Sequence, residues 1–199
     1  MNNYAFMIIS AIAYLILAPL VGGFLAGVDR RITAGFQGRV GPPLLQPFYD
    51  VSKLLKKDNS TVKGGQDFFV ACFLFFIIIT GVLFFAGLSI LLVIFTFTTA
   101  AIFLVIAAYS SNSPYAQIGA LRELLQMMAY EPMVILTGVG LYFAKGTFNI
   151  GDMIRNQTLA LPYTVGIFIG FVFILTIKFR KSPFDLSLSH HAHQEIVKG

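Results

Sequence analysis

The sequence predicts an all-α polytopic membrane protein of about five transmembrane helices plus one amphipathic interfacial helix. Three observations carry that prediction. Of the 199 residues, 57% are hydrophobic and 12% charged, against roughly 25% charged in a typical soluble domain. No charged residue occurs between Phe68 and Leu121. A membrane-spanning helix needs about 20 residues, so the apolar part of that stretch, 68–109, is long enough for two. Finally, the basic residues fall into a few segments between apolar runs, as topology signals do. This composition excludes a soluble enzyme and a disordered tail, and, despite a net charge of +5, a nucleic-acid binder. The single cysteine, Cys72, cannot form an internal disulfide. With no CxxC motif or Cys/His cluster, the chain is expected to ligate no iron–sulfur cluster, zinc or other metal by itself.

The elements follow in order, within one integral membrane domain spanning 1–199. The first span is 4–27. A signal peptide carries its positive charge before the apolar core; here Asp29, Arg30 and Arg31 follow it. That order favours an uncleaved helix with its N-terminus outside. In the polar segment 29–67, Gly41-Pro42-Pro43 breaks any helix. Beyond the break, Leu44, Leu45, Phe48, Val51, Leu54 and Leu55 recur at helical spacing among Asp50, Lys53, Lys56 and Lys57. This pattern predicts an interfacial helix over about 44–57, too short and too charged to span. Spans 68–87 and 90–109 meet near Gly87-Leu88-Ser89 without a hydrophilic turn. The run 110–114 is a loop by composition. A helix follows over 118–144, with Pro132 expected to kink it. A loop is predicted over 145–161, a fifth span over 162–179 and a polar inner-side tail over 180–199.

With the N-terminus outside, Arg30, Arg31, Arg39, Lys53, Lys56, Lys57, Lys63, Arg122, Lys178, Arg180, Lys181 and Lys198 face inward, against Lys145 and Arg155 outside. That bias favours a cytoplasmic C-terminus.

Four clusters carry potential chemistry. Arg30, Arg31 and Arg39 flank the first span; alone, they also read as topology anchors. Asp50 and Lys53 sit three apart and can pair on a helix, or form a solvated face. Arg122 and Glu123 precede Glu131 and Pro132. Eight residues make about two turns, which sets Glu123 near the face of Glu131, with Gln126 and Met127 between them. Carboxylates beside a span are costly unless paired or wet, so two of them suggest a hydrophilic path. Arg122 is a possible counter-charge; the alternative is a surface pair of Arg122 with Glu123. Last come Asp185 and the run His190-His191-Ala192-His193-Gln194-Glu195. Its spacing lacks the further ligands of a metal site, and a protonatable relay is the better reading, since histidine titrates near neutral pH.

These strings, taken in order, resemble a known family. Asp29-Arg30-Arg31, Gln37-Gly38-Arg39-Val40-Gly41-Pro42, Leu45-Gln46-Pro47, Asp50 and Lys53-Leu54-Leu55 come first. Ser111-Asn112-Ser113, Tyr115, Gly119-Ala120-Leu121-Arg122-Glu123, Gln126 and Tyr130-Glu131 follow, then Pro183-Phe184-Asp185. Together they look like the membrane subunit that anchors the peripheral arm of respiratory complex I. They look closer still to its counterpart in energy-converting membrane-bound nickel–iron hydrogenases. The compact Gly41-Pro42-Pro43-Leu44-Leu45-Gln46-Pro47, longer in complex I, and the run 190–195 point to the hydrogenase branch. The family continues past its last motif with further transmembrane helices, so its C-terminal helices are expected either on a second polypeptide or lost by truncation.

The resemblance implies a non-catalytic membrane subunit of an oxidoreductase complex in a prokaryotic cell membrane. It docks a nickel–iron large subunit and an iron–sulfur small subunit, which hold the nickel–iron centre and the clusters, and it neighbours antiporter-like subunits. Electrons from ferredoxin reach the arm, and this subunit couples their transfer to proton or sodium translocation. Glu123, Glu131, Asp185, Glu195 and His193 would form the proton path or coupling element. Arg30, Arg31, Arg39, Asp50, Lys53 and Arg122 would dock the arm or pair charges. The alternatives are a quinone-reducing complex I-type subunit and a stand-alone ion channel or transporter. Against the last, no internal repeat of the kind transporters often show is visible.

Overall fold

The computed structural model describes residues 3–57, 64–111, 113–156, 162 and 164–178. Two units, 1–60 and 61–199, are each compact by themselves and are taken in turn.

The first unit holds α1 (Asn3–Phe36) and α2 (Gln46–Leu55). Helix α1 runs nine residues past the predicted end of the first span. Arg30 and Arg31 therefore lie within the helix, not in a loop. At about 1.5 Å per residue, its 34 residues make a rod of about 50 Å, longer than a hydrocarbon core of about 30 Å. The rod stops where Gly38 takes φ +67° and the Arg39 N–H donates to the Ala34 carbonyl at 3.0 Å, the hydrogen-bond pattern of a helix C-terminus closed by glycine. The Gly-Pro-Pro break then turns the chain, and Pro47 sits in the first turn of α2, where a missing N–H costs nothing. Helix α2 lies close against α1 because Gly27 leaves room for it: a Cβ there would fall on the Leu44 carbonyl oxygen.

The second unit begins with α3 (Gly64–Phe85) and α4 (Ile90–Tyr109), antiparallel neighbours joined by a short turn. Helix α5 (Pro114–Lys145) follows. Ser113 caps it by accepting from the Ala116 N–H, Pro114 opens it, and Gly146, at φ +73°, closes it. The helix runs unbroken through Pro132. The predicted loop 145–161 contains a further short helix, α6 (Ile150–Arg155). Asp152 in its first turn and Arg155 in its last suit the helix dipole, and Ile150 and Met153 are buried. The sequence pattern did not single out six residues this short. Three backbone bonds staple this segment to the α3–α4 turn: Ile90 to Phe148, Ile150 to Leu88 and Gly151 to Gly87. Helix α7 (Val165–Lys178) packs on α5, with Met133 filling the space over Gly170.

Four of the helices are long and apolar enough to cross a membrane, and α7 is a shorter apolar helix. Burial is sparse and falls on small residues. Ala100, Ala107 and Ala108 of α4 and Ala116 and Ala120 of α5 are nearly inaccessible, with Val105, Ala108 and Ala120 packed together where α4 meets α5, while Phe, Leu and Ile side chains face outward along every long helix. Lipid tails do not drive helices together, so close backbone approach through small residues is what holds such an interface.

Candidate functional site

Two polar constellations emerge, one in each unit. In the first, Arg30 of α1 donates to Asp50 Oδ2 of α2 at 2.8 Å. Gln46 donates to Oδ1 of the same carboxylate at 3.0 Å. The Arg30 hydrogen bond, then that of Gln46, holds the Asp50 carboxyl below the usual carboxylate range; the charges of Arg30 and Lys53 act in the same direction. Asp50 and Lys53 were open to pairing or to a solvated face; the ion-pair partner that Asp50 takes is Arg30. Both carboxylate oxygens are taken by other donors, and Lys53 acts through its field. The two side chains of the ion pair are 51% and 41% exposed, so the pair fixes the register of α2 on α1 more than it adds stability. Arg31 packs its backbone near Gly41, and the Arg39 side chain is exposed. Beside the pair, a groove of about 450 Å³ lined by Pro19, Gly23, Pro47, Phe48, Val51 and Lys56 is largely apolar.

The second constellation lies among α3, α4, α5 and α7. A cavity of about 310 Å³ is walled by Glu123, Gln126 and Tyr130 of α5 and by Lys178 of α7, with Phe97 and Leu104 of α4 among its apolar lining. Glu123 Oε2 is fully enclosed. The sequence placed Glu123 and Glu131 near one face. Eight residues, however, leave a rotation of about 80° after two turns. The wall of the cavity follows Glu123, Gln126 and Tyr130, whose spacing of three and four keeps them in line. Met127 is buried, and Glu131, one residue past Tyr130, reaches α4 and the Thr98 hydroxyl.

Thr98 adds a constraint. Its hydroxyl contacts both the Ile94 carbonyl, at 2.9 Å, and Glu131 Oε1, yet it has one hydrogen to donate. An ionised Glu131 takes that hydrogen. A protonated Glu131 donates its own to the threonine oxygen and leaves the threonine hydrogen for the carbonyl. The contact thus has two arrangements, one for each protonation state of Glu131.

Thr98 and Lys178 are the residues that the sequence reading missed as site members. Thr98 stands in the run Thr96-Phe97-Thr98-Thr99, whose hydroxyls break an otherwise apolar span. Lys178 stands at the end of an apolar helix, where it reads first as a topology charge. Arg122 lies on α5 beside Glu123 and is exposed. Asp185, His193 and Glu195 lie outside the described residues. Among the described residues, no group of three or more His, Cys, Asp or Glu is placed to hold a metal ion.

The long apolar helices, with Glu123 in a cavity among them and Glu131 bonded to Thr98, define a polytopic membrane protein with carboxylates between its helices. Comparison with known proteins takes this further. A family model described as NADH dehydrogenase matches residues 8–199, and the chain belongs to that family. A subunit of the NADH-quinone oxidoreductase of Solibacter usitatus (strain Ellin6076) is 28% identical over 234 residues, covering 100% of this chain and 57% of that one. The NADH-quinone oxidoreductase subunit of Bacillus cytotoxicus is 28% identical over 219 residues, covering 98% and 65%. A chain in the structure of the membrane-bound sulfane sulfur reductase, an archaeal respiratory membrane complex, matches with a TM-score of 0.80 and 27% identity, over 92% of this chain and 66% of that one. The chain thus spans less than two thirds of the length of each of these relatives.

Proposed function

We propose that this chain is the membrane subunit of a complex I-like respiratory oxidoreductase. In this role it is not the redox catalyst. It anchors a peripheral electron-transfer arm and passes the effect of electron transfer to ion translocation in the membrane. The observation that carries the reading is the cavity walled by Glu123, whose Oε2 is buried, with Glu131 bonded across to Thr98. A mere anchor gains nothing from carboxylates between apolar helices, where ionisable groups are expensive. Arg30, Arg31, Arg39, Lys53 and Arg122 would present positive charge to the arm, and Asp185, His193 and Glu195 would extend the acidic path.

Among acceptors, we favour the hydrogenase-type branch, in which the arm carries iron–sulfur clusters and a nickel–iron centre and takes electrons from ferredoxin. Support comes from the compact Gly41–Pro47 segment and the run 190–195. A quinone-reducing role is the second reading. It is favoured by the names of the NADH-quinone oxidoreductase relatives and by the apolar groove beside α2, which suits a hydrophobic tail. In either case the N-terminus lies outside and the basic segments face the cytoplasm. Affinity purification of the tagged chain from native membranes in mild detergent tests the reading. Co-elution of iron-containing subunits supports the complex, and nickel among them selects the hydrogenase branch. A metal-free homo-oligomer would sink it.

A further inference from the structure

The three threonines of α4 treat their own helix alike. Thr96 donates to the Leu92 carbonyl at 2.9 Å and Thr99 to that of Phe95 at 2.8 Å, and Thr98 lies 2.9 Å from that of Ile94. A threonine hydroxyl bonded back to a carbonyl one turn earlier bends a helix slightly. Thr98 differs because its hydroxyl also meets Glu131 Oε1 of α5. The Ile94 side chain packs on the same neighbour: a Cβ built on Gly138 of α5 would stand 3.0 Å from Ile94 Cδ1. Helix α5 therefore touches α4 at both ends of this one back-bond.

The threonine has one hydrogen for two acceptors. When Glu131 is ionised, the charged carboxylate is the stronger acceptor and takes it, and the Ile94 carbonyl loses its threonine bond. A proton arriving on Oε1 brings a second hydrogen. It bridges Oε1 and the threonine oxygen, and the threonine hydrogen turns to the Ile94 carbonyl. No proton passes through Thr98: one is gained at Glu131 and one O–H rotates. The helices packed on α5 are α4 and α7. Helix α4 carries no titratable side chain before Tyr109, and α7 carries Lys178, whose ammonium stands 4.8 Å from the centre of the Tyr130 ring. On α5 itself, Tyr130 adjoins Glu131, and Glu123 lies about two turns before it.

We propose that Thr98 is a positioning residue through which the protonation state of Glu131 sets the backbone of α4, its hydroxyl bonded to the Ile94 carbonyl when Glu131 is protonated and withdrawn from it when Glu131 is ionised. The proposal rests on the coupling role given above to Glu131. It adds the first mechanical step of that role, with α4 as the element that has two arrangements.

The test is infrared difference spectroscopy of the intact complex in membranes, with isoleucine isotope-labelled at the carbonyl carbon. One arm compares alkaline with acid buffer; the other compares the complex before and after electrons are delivered to the peripheral arm. In the wild type, a carboxylic acid band of Glu131 is expected to rise together with a shift of one labelled carbonyl band to lower wavenumber. Glu131→Gln is expected to lose both signals. Ile94→Val, which removes the labelled residue, is expected to lose the carbonyl shift alone. Thr98→Val is expected to keep the acid band, displaced, and to lose the carbonyl shift. Thr98→Ser keeps the hydroxyl and is expected to keep both signals, as is Thr99→Val, which removes a back-bond that does not meet Glu131. If Thr98→Val fails to assemble, Thr98→Ala reads the same loss without added bulk, at an interface already built on small residues. A carbonyl shift that survives in Thr98→Val or Thr98→Ala, or that Thr98→Ser loses equally, would overturn the proposal. So would a wild type with no Glu131 band in either arm. Signals that appear on acidification and not on electron delivery would sink the coupling reading and leave the Thr98 link standing.

Discussion

Replacing Thr98 by Val changes one hydroxyl for a methyl group of nearly the same shape, so its effect is chemical. The hydroxyl bonds Glu131 across the α4–α5 interface. Valine fails in both protonation states, because it can neither donate to a carboxylate nor accept from a carboxylic acid. The Ile94 carbonyl loses little, since the threonine contact adds to its place in the backbone ladder of α4. A hydrogen bond to a charged group contributes about 1.5–3 kcal/mol. Taking about 2 kcal/mol for half-buried partners gives roughly a 30-fold change in a local equilibrium. Hydrogen exchange followed by mass spectrometry reads this directly. Peptides over 126–136 are expected to lose protection by up to that factor in Thr98→Val, and Thr98→Ser, which keeps the hydroxyl, is expected to stay near wild type. Wild-type protection in Thr98→Val, or equal loss in Thr98→Ser, would refute the assignment of Thr98 as the partner of Glu131.

Three further outcomes follow from the structure. Gly27→Ala places a methyl group on the Leu44 carbonyl; overpacking of this kind costs about 1–3 kcal/mol, so the amides of α2 are expected to exchange faster, and unchanged exchange contradicts the close approach. Asp50 has a depressed carboxyl, so its contribution to holding α2 is complete above the ordinary carboxylate value and is lost as pH falls through the lower folded value. Protection of α2 is accordingly expected to be flat from neutral pH to about 5, to fall only below about 4, and to lose this acid dependence in Asp50→Asn. Gly146→Ala meets open space but must adopt φ +73°. It is expected to destabilise the complex by about 1–2 kcal/mol in thermal unfolding through backbone strain alone.

Much of the fold was legible because hydropathy and helix-breakers speak locally. The uncharged stretch 68–121 contained α4 and all but the first turn of α3, and the Gly41-Pro42-Pro43 break set off α2, whereas α5 was expected from 118 and opens at Pro114. The end of α1 was not legible, because Asp29, Arg30 and Arg31 mark the edge of an apolar run, whereas a helix ends only where its carbonyls find other partners, here at Gly38. Helix α6 was missed because six residues are too few for a periodic pattern. At the site, Glu123, Glu131, Arg30 and Asp50 stood out as charges in a poorly charged chain. Their partners did not. Lys53 was the nearer candidate for Asp50 in sequence, yet Arg30, twenty residues away, holds it. Thr98 lies 33 residues from Glu131, and Lys178 reaches the cavity only because α7 packs on α5. Such pairings are long-range facts, and periodicity along one helix does not contain them.

The ion-to-electron ratio of Glu131→Gln bears most directly on the coupling role. Glutamine keeps the size and polarity of the side chain and removes its ability to carry a proton or a charge. In inverted vesicles that hold the assembled complex, electron transfer through the peripheral arm is expected to continue while ion uptake per electron falls sharply. A wild-type ratio in that variant would contradict the account and leave this chain an anchor only.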